Sequence, residues 1–302
     1  MGFKSGFVAV LGRPNAGKST LVNRLVGRKV AIVSPRPQTT RNRIQGIVNR
    51  DDAQVVLMDT PGIHKPDSLL NRQMMDEVHQ ALEGIDALLL IVDAGEEFGA
   101  GDRYALELVQ RYAGPPLLLL NKIDRIEKAR LLPLIDRYSK AHTFAAILPI
   151  SALTGDGVEE MLANAVQLLP EGEAFFPPEQ FTDQPERFLA AELVREKAIL
   201  HTREELPHAL AVLVDSFDES AKLIRIRATI YVEREGQKGI VIGKRGEMLK
   251  RIGTEARIEL EDLLGVKIFL ELYVKVQRDW RDKPALVRQL DWRRQLERLA
   301  EK

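Results

Sequence analysis

The residues Gly12-Arg13-Pro14-Asn15-Ala16-Gly17-Lys18-Ser19 fit G-x-x-x-x-G-K-[ST] and follow an apolar run, Phe7-Val8-Ala9-Val10-Leu11, that reads as a buried strand. Such a loop closes backbone N–H groups around phosphates; Lys18 can reach β and γ oxygens, and Ser19 can offer its hydroxyl to Mg²⁺. The loop does not choose a base. That choice falls to Asn121-Lys122-Ile123-Asp124, an N-K-x-D after the strand-like run 116–120, at the strand end where open α/β sheets bind nucleotides. The Asp124 carboxylate can accept from both N1–H and the exocyclic amine of guanine, a donor pair that adenine lacks. Asp59-Thr60-Pro61-Gly62 ends a third run, Val55-Val56-Leu57-Met58. It puts Asp59 where it can hold Mg²⁺ through water and the Gly62 N–H near a γ-phosphate. Ser151-Ala152, after Ala146–Ile150, supplies a fourth element, with backbone N–H contacts to the guanine oxygen expected.

Each element alone has an ordinary reading. A single phosphate loop fits an ATPase or kinase, N-K-x-D arises by chance, and D-T-P-G can be a turn after a strand. Four in this order, each at the end of a strand-like run, point together to a guanine-nucleotide site.

These motifs need a sheet to carry them. Strand-like runs at 7–11, 44–48, 54–58, 87–92, 116–120 and 146–150 alternate with amphipathic stretches, which predicts a doubly wound α/β sheet of about six strands over residues 1–170. Residues 28–43 lack periodicity, carry two prolines and read as a mobile loop; 171–186 break every pattern and read as a linker. At 302 residues, two domains are expected. The 44 basic and 44 acidic residues cancel, so attraction to nucleic acid has to be local. With no cysteine, disulfides and thiolate metal sites are excluded, and the five histidines lack ligand spacing. No apolar run nears the roughly 18 residues of a membrane span; a cytoplasmic protein, at most peripheral to a membrane, is expected.

Residues 187–284 carry a second pattern: helix, two strands, two short-linked helices and a strand, with Gly243-Lys244-Arg245-Gly246 between the helices. That α-β-β-α-α-β order with a G-x-x-G loop is that of a KH module, whose loop clamps a nucleic-acid backbone. Lys238, Lys244, Arg245, Lys250 and Arg251 give this stretch a local positive charge. The alternative is that Gly243 and Gly246 only cap and turn. Residues 285–302 read as an amphipathic surface helix without chemistry of their own.

The chain closely resembles the Era family of bacterial GTPases over nearly its whole length. G-R-P-N-A-G-K-S-T at 12–20, P-Q-T-T-R at 37–41, D-T-P-G at 59–62, N-K-I-D at 121–124, S-A-L at 151–153 and E-G-Q-K-x-x-V-I-G-x-x-G at 235–246 all look like that family's motifs. The resemblance implies a P-loop GTPase domain joined to a type II KH domain, with GTP or GDP and Mg²⁺ as ligands. It implies GTP hydrolysis, binding of the 3′ end of 16S ribosomal RNA in assembly of the small ribosomal subunit, and occasional peripheral membrane association; a monomer is expected. It extends the nucleotide site to Thr20, Ile63 and Leu153, and makes Thr40, with Thr39 beside it as the alternative, the Mg²⁺ ligand that senses the γ-phosphate. The catalytic groups so expected are Lys18, Thr40 and Gly62. Two points stay open. Ile63 follows Gly62 where Ras-like GTPases carry a water-orienting glutamine, so either another group orients the water or the intrinsic rate is slow, and Asn15 resembles an asparagine that holds K⁺ in related GTPases, with loop shaping as the other reading. An RNA chaperone for which nucleotide is a regulatory ligand is the alternative function.

Overall fold

The computed structural model describes residues 2–63, 67–202, 206–220 and 222–293. The chain divides into two compact units, the second made mainly of the residues from Gln184 onward. In the first, the strands are β1 (Lys4–Leu11), β2 (Ile44–Asn49), β3 (Ala53–Asp59), β4 (Ala87–Asp93), β5 (Leu117–Asn121) and β6 (Ala146–Pro149). They form one sheet in the order β2-β3-β1-β4-β5-β6, parallel except for β2. The helices are α1 (Lys18–Val26), α2 (Leu69–Gln80), α3 (Ala100–Val109), α4 (Leu131–Ala141) and α5 (Val158–Leu168). Apolar residues of β1, β3, β4 and β5 are buried on both faces of the sheet. One cluster joins Val8, Val55, Leu89 and Leu119 to α1 and α5; the other joins Ala9, Met58, Leu90 and Leu118 to α2, α3 and α4. That two-sided burial is why these strands read as continuous apolar runs rather than alternating ones.

Two stretches differ from expectation. Residues 28–43 hold no helix or strand, yet both ends are packed. Asn23 Oδ1 accepts from the N–H groups of Val30 and Ala31 at 2.9 Å each, and Thr40, Arg41 and Asn42 are buried. Of the expected linker 171–186, the part up to Asp183 belongs to the first unit. Glu171 bridges Lys4, Thr182 bridges Gly46, and the Ile47 N–H donates to Phe181 O at 2.9 Å. The fully buried Gln54 of β3 holds this segment with its whole amide: Nε2 donates to Asn49 Oδ1 and Phe176 O, and Oε1 accepts from Phe175 and Phe176 N–H. A segment without periodicity is thereby fixed by side-chain bonds instead of a ladder.

The second unit contains α6 (Glu186–His201), β7 (Ala211–Ser220), β8 (Leu223–Val232), α7 (Glu235–Ile242), α8 (Glu247–Leu264), β9 (Lys267–Val276) and α9 (Pro284–Gln289). Its sheet runs β7-β8-β9, with β8 and β9 parallel. Alternate residues Ile224, Ile226, Ala228, Ile230 and Val232 of β8 are buried in one core with Val194 and Ala198 of α6 and Ile252, Ala256 and Leu260 of α8. Of the expected tail helix the described residues hold α9, which buries Val287; the Trp280 indole donates to Ala209 O at 2.8 Å, and Trp292 lies against Phe188. Residues 294–302 of that expectation lie outside the described residues. No described helix is long and apolar enough to cross a membrane.

Candidate nucleotide site and nucleic-acid groove

Gly17, between the loop and α1, has φ 104°, and a Cβ there would stand 2.2 Å from Asn121 Nδ2. An L side chain is excluded twice. Gly62 makes the other close approach, where a Cβ would lie 2.8 Å from Pro14 Cα. Lys18 is buried and its ammonium donates to Gly12 O (3.1 Å) and Arg13 O (3.0 Å), which aims it along the loop. Burial lowers its pKa to about 8, opposed by the nearby Asp59 charge.

Asp59 ends β3 in full burial. Its Oδ2 accepts from Ser19 Oγ at 2.6 Å and Thr40 Oγ1 at 3.3 Å, and the two hydroxyls are 2.9 Å apart. Oδ1 is buried and has no hydrogen-bond partner. Burial pushes the carboxyl up to about 6, against the opposing effects of Lys18, Ser19 and Thr40. Two hydroxyls on one oxygen of a buried carboxylate whose other oxygen has no donor make a set of hard oxygen ligands that fits Mg²⁺. Of the two adjacent threonines, Thr40 is the one whose hydroxyl joins this cluster.

At the ends of β5 and β6, Asn121 uses both ends of its amide. Nδ2 donates to Ala16 O at 2.7 Å and Oδ1 accepts from Ala152 N–H at 2.9 Å, so it staples the phosphate loop to the S-A-L loop. Asp124 Oδ1 accepts from Ser151 Oγ at 2.6 Å. The expected N–H contacts of Ser151 and Ala152 to guanine differ from what the structure shows: Ser151 N–H donates to Asp156 O and Ala152 N–H to Asn121. Buried N–H groups must be paired, and here the loop pairs both of these internally. Lys122, at φ 68°, is tied to Asp93 at 2.6 Å. Thr60 Oγ1 donates to Val10 O at 2.8 Å, Pro61 is buried beside it, Thr20 is half-buried and Leu153 is exposed. The Ile63 side chain lies in the core beneath α2 and α3.

In the second unit, Gly243 ends α7 at φ 72° and Gly246 starts α8 at φ 81°, with Arg245 between them at φ 53°. A Cβ on Gly243 would stand 2.6 Å from Met248 Cβ, so this glycine sets how closely the two helices join. Lys244, Arg245, Lys250 and Arg251 are exposed and Lys238 is half-buried. Arg251 is held by Glu255 at 3.0 Å, an acid one turn further along α8 that moderates the basic patch. A groove of about 360 Å³ starts at Gly246 and runs between α8 and β9, lined by Leu249, Lys250, Gly253 and Leu272 among others. An apolar floor with cations at one end suits a single-stranded nucleic acid.

A model of the 50S ribosome-binding GTPase family matches residues 7–122, and a KH-domain model matches residues 205–281. GTPase Era of Syntrophus aciditrophicus (strain SB) is 50% identical over 292 residues, 96% of this chain and 95% of that one. The chain belongs to the Era family of GTPases. Two solved Era structures are 42% identical to it, each covering 96% of this chain and 99% of the other. One is Era in complex with MgGDPNP and nucleotides 1506–1542 of 16S ribosomal RNA, with a TM-score of 0.93. The second is an Aquifex aeolicus Era variant bound to GDP·AlF4⁻, with a TM-score of 0.91.

Around this Era-type site stand groups that no motif signals. Arg13 is anchored by Asp102 at 3.0 Å. The same carboxylate accepts from the Gly99 N–H before α3 and from Tyr138 OH. Arg24 of α1 donates to the carbonyls of Ala152 and Leu153. Asp102 and Tyr138 lie 89 and 125 residues from Arg13 in sequence, so only the folded sheet brings them together.

Proposed function

We infer that this Era-family GTPase binds guanine nucleotide across the ends of β1, β3, β5 and β6 and hydrolyses GTP there. We infer further that it holds the 3′ end of 16S ribosomal RNA in the groove beside Gly243–Gly246 during assembly of the small subunit. The observation that carries the first part is the joining of Lys18, Ser19, Thr40 and Asp59 in one buried cluster. Ser19 and Thr40 would ligate Mg²⁺, with Asp59 acting through water; the ion neutralises charge between β and γ oxygens. Lys18 adds a positive charge already desolvated and aimed, the arrangement that stabilises developing charge at least reorganisation. Asp124 selects guanine, and the Gly62 N–H borders the γ-phosphate position.

Because the Ile63 side chain is in the core, it cannot orient the attacking water. Turnover is then slow, on the order of the 10⁻⁴ to 10⁻² s⁻¹ of unassisted GTPases. Asn15 is exposed and at φ 62°, which supports a monovalent cation beside the phosphates as well as a loop-shaping role. Measuring GTP hydrolysis in K⁺ and in Na⁺, with and without the 16S 3′ end, tests the reading. Hydrolysis no faster than the buffer blank in all four conditions would leave an RNA chaperone that merely binds nucleotide. Sedimentation of the protein alone and with anionic vesicles checks the monomer and peripheral membrane association.

A further inference from the structure

The sheet of the second unit has a face that the groove does not use. Arg225, Arg227, Lys267, Phe269, Tyr273 and Lys275 of β8 and β9 are exposed, alternating with Ile224, Ile226, Ile268, Leu270 and Leu272, which are buried or half-buried. Phe269 is 46% and Tyr273 49% exposed. Two large aromatic rings left half in water four residues apart on one strand are not core residues. Arg225, directly opposite Phe269 in the register, holds its guanidinium 5.5 Å from that ring's centre. Glu271 lies between the rings opposite Arg227, and Asp218 stands opposite Arg225 on β7.

We propose that this outer face of β8 and β9 is a second single-stranded RNA site, on which bases leaving the groove stack against Phe269 and Tyr273 while Arg225 and Lys275 meet the phosphates. The proposal rests on RNA occupying the groove. Three observations favour RNA as the occupant. The cations beside the rings are Arg225, stacked on Phe269, and Lys275, two residues beyond Tyr273, whereas Lys267 is held by Glu261 at 3.1 Å; the first two supply local charge for phosphate. Aromatic faces spaced along a strand accept any base by its π surface, and an adjacent guanidinium strengthens the stack. The face is also continuous with the groove: Leu270 and Leu272 of β9 line the groove, and Phe269 and Tyr273 alternate with them on the other side of the same strand. β9 is the edge of its sheet, so a strand of RNA passes from one face to the other around a single edge, past backbone groups that no neighbouring strand pairs.

The test uses the full chain with two oligonucleotides from the 16S 3′ end: a hexamer that only fills the groove and a 16-mer that extends beyond it. Phe269→Ala with Tyr273→Ala should weaken the 16-mer at least about tenfold and change the hexamer less than twofold, since each stack removed matters only for bases beyond the groove. Phe269→Leu with Tyr273→Leu, which keeps apolar bulk suited to a strand but removes the π faces, should do the same with an unchanged melting temperature. Arg225→Gln with Lys275→Gln should lower the salt slope of 16-mer binding by about 1.4, or 0.7 for each phosphate no longer neutralised. An unchanged 16-mer affinity in both aromatic variants, or equal losses for both oligonucleotides, overturns the proposal and leaves the face to a protein partner. Hexamer binding that survives Lys244→Asp with Arg245→Asp fails the groove reading itself, and this proposal with it.

Discussion

The nucleotide site and the G-x-x-G groove meet their ligands with opposite preparations. Lys18, Asp59 and Asn121 are buried and already bonded, whether to one another's loops or to neighbouring hydroxyls. Lys244, Arg245 and Lys250 stand in water, with only the backbone beneath them fixed. The first arrangement concentrates electrostatics where water is excluded and a single group counts heavily. In the second, charge is screened and contributions are shared among several side chains. Substitutions in the nucleotide site should therefore change selectivity or stability sharply, and those in the groove should change affinity while leaving the fold alone.

The sharpest test of that contrast is Asp124→Asn. An amide donates where guanine's amine also donates, and it suits the carbonyl that xanthine carries there. The ratio of GTP to XTP affinity should swing by about 10⁴, the scale on which a site built for one hydrogen-bonding pattern rejects another. Competition binding with the two triphosphates measures it; an unchanged ratio would remove Asp124 from the base edge. Lys244→Asp with Arg245→Asp comes next. RNA affinity should fall about 100-fold at low salt with a reduced salt slope, while GTP affinity and melting temperature stay as they were. Filter binding at several salt concentrations, beside a thermal melt, would show whether the two units respond independently.

How much of this was legible in the chain follows the same divide between local and distant. Glycines, Lys18, Ser19 and N-K-I-D carry their chemistry in contiguous residues, so spacing after an apolar run is enough to place them. The β8 alternation of buried Ile224, Ile226 and Ile230 with exposed Arg225 and Arg227 likewise declares one face of a sheet. What could not be read was decided by contacts made only after folding. Arg13 with Asp102 and Tyr138 is one such case, and Gln54 gripping an aperiodic segment more than 120 residues away is another. That the Thr40 hydroxyl lies 2.9 Å from Ser19 Oγ likewise depended on how the packed loop turns. Asn121 has a further lesson: its motif announces a base contact, whereas its amide is spent joining two loops.

That staple predicts a loss of intermediate size. Asn121→Ala leaves Ala16 O and Ala152 N–H buried without partners and should cost about 2–6 kcal/mol of unfolding free energy, at roughly 1–3 kcal/mol for each orphaned group. GTP affinity should fall with it, since the phosphate loop and the base loop would no longer be held together. Denaturant titration of the variant against the parent gives the number; a loss below about 0.5 kcal/mol would mean that the two loops hold their places independently.

The smallest effect concerns protons. Burial raises the Asp59 carboxyl to about 6, so below that pH the group is mainly protonated and a proton must leave before Mg²⁺ can be held there. Affinity for Mg²⁺-nucleotide should thus rise with pH, by up to about tenfold per unit below 6, and level off above it. Lys18, lowered to about 8 by its own burial, gives the opposite limb, because its charge is lost as pH climbs past 8 and the phosphates lose a partner. The two limbs together predict a plateau between about 6 and 8. Asp59→Asn should abolish the acid limb while leaving the alkaline one, and Lys18→Met should do the reverse. Titrating Mg²⁺-GDP from pH 5 to 9 by calorimetry separates them. Asp59 and Lys18 belong to the first unit and the groove to the second, so RNA affinity measured alongside should vary far less with pH than nucleotide affinity does. A common pH profile for both ligands would mean that the buried cluster does not control nucleotide binding through its own protonation.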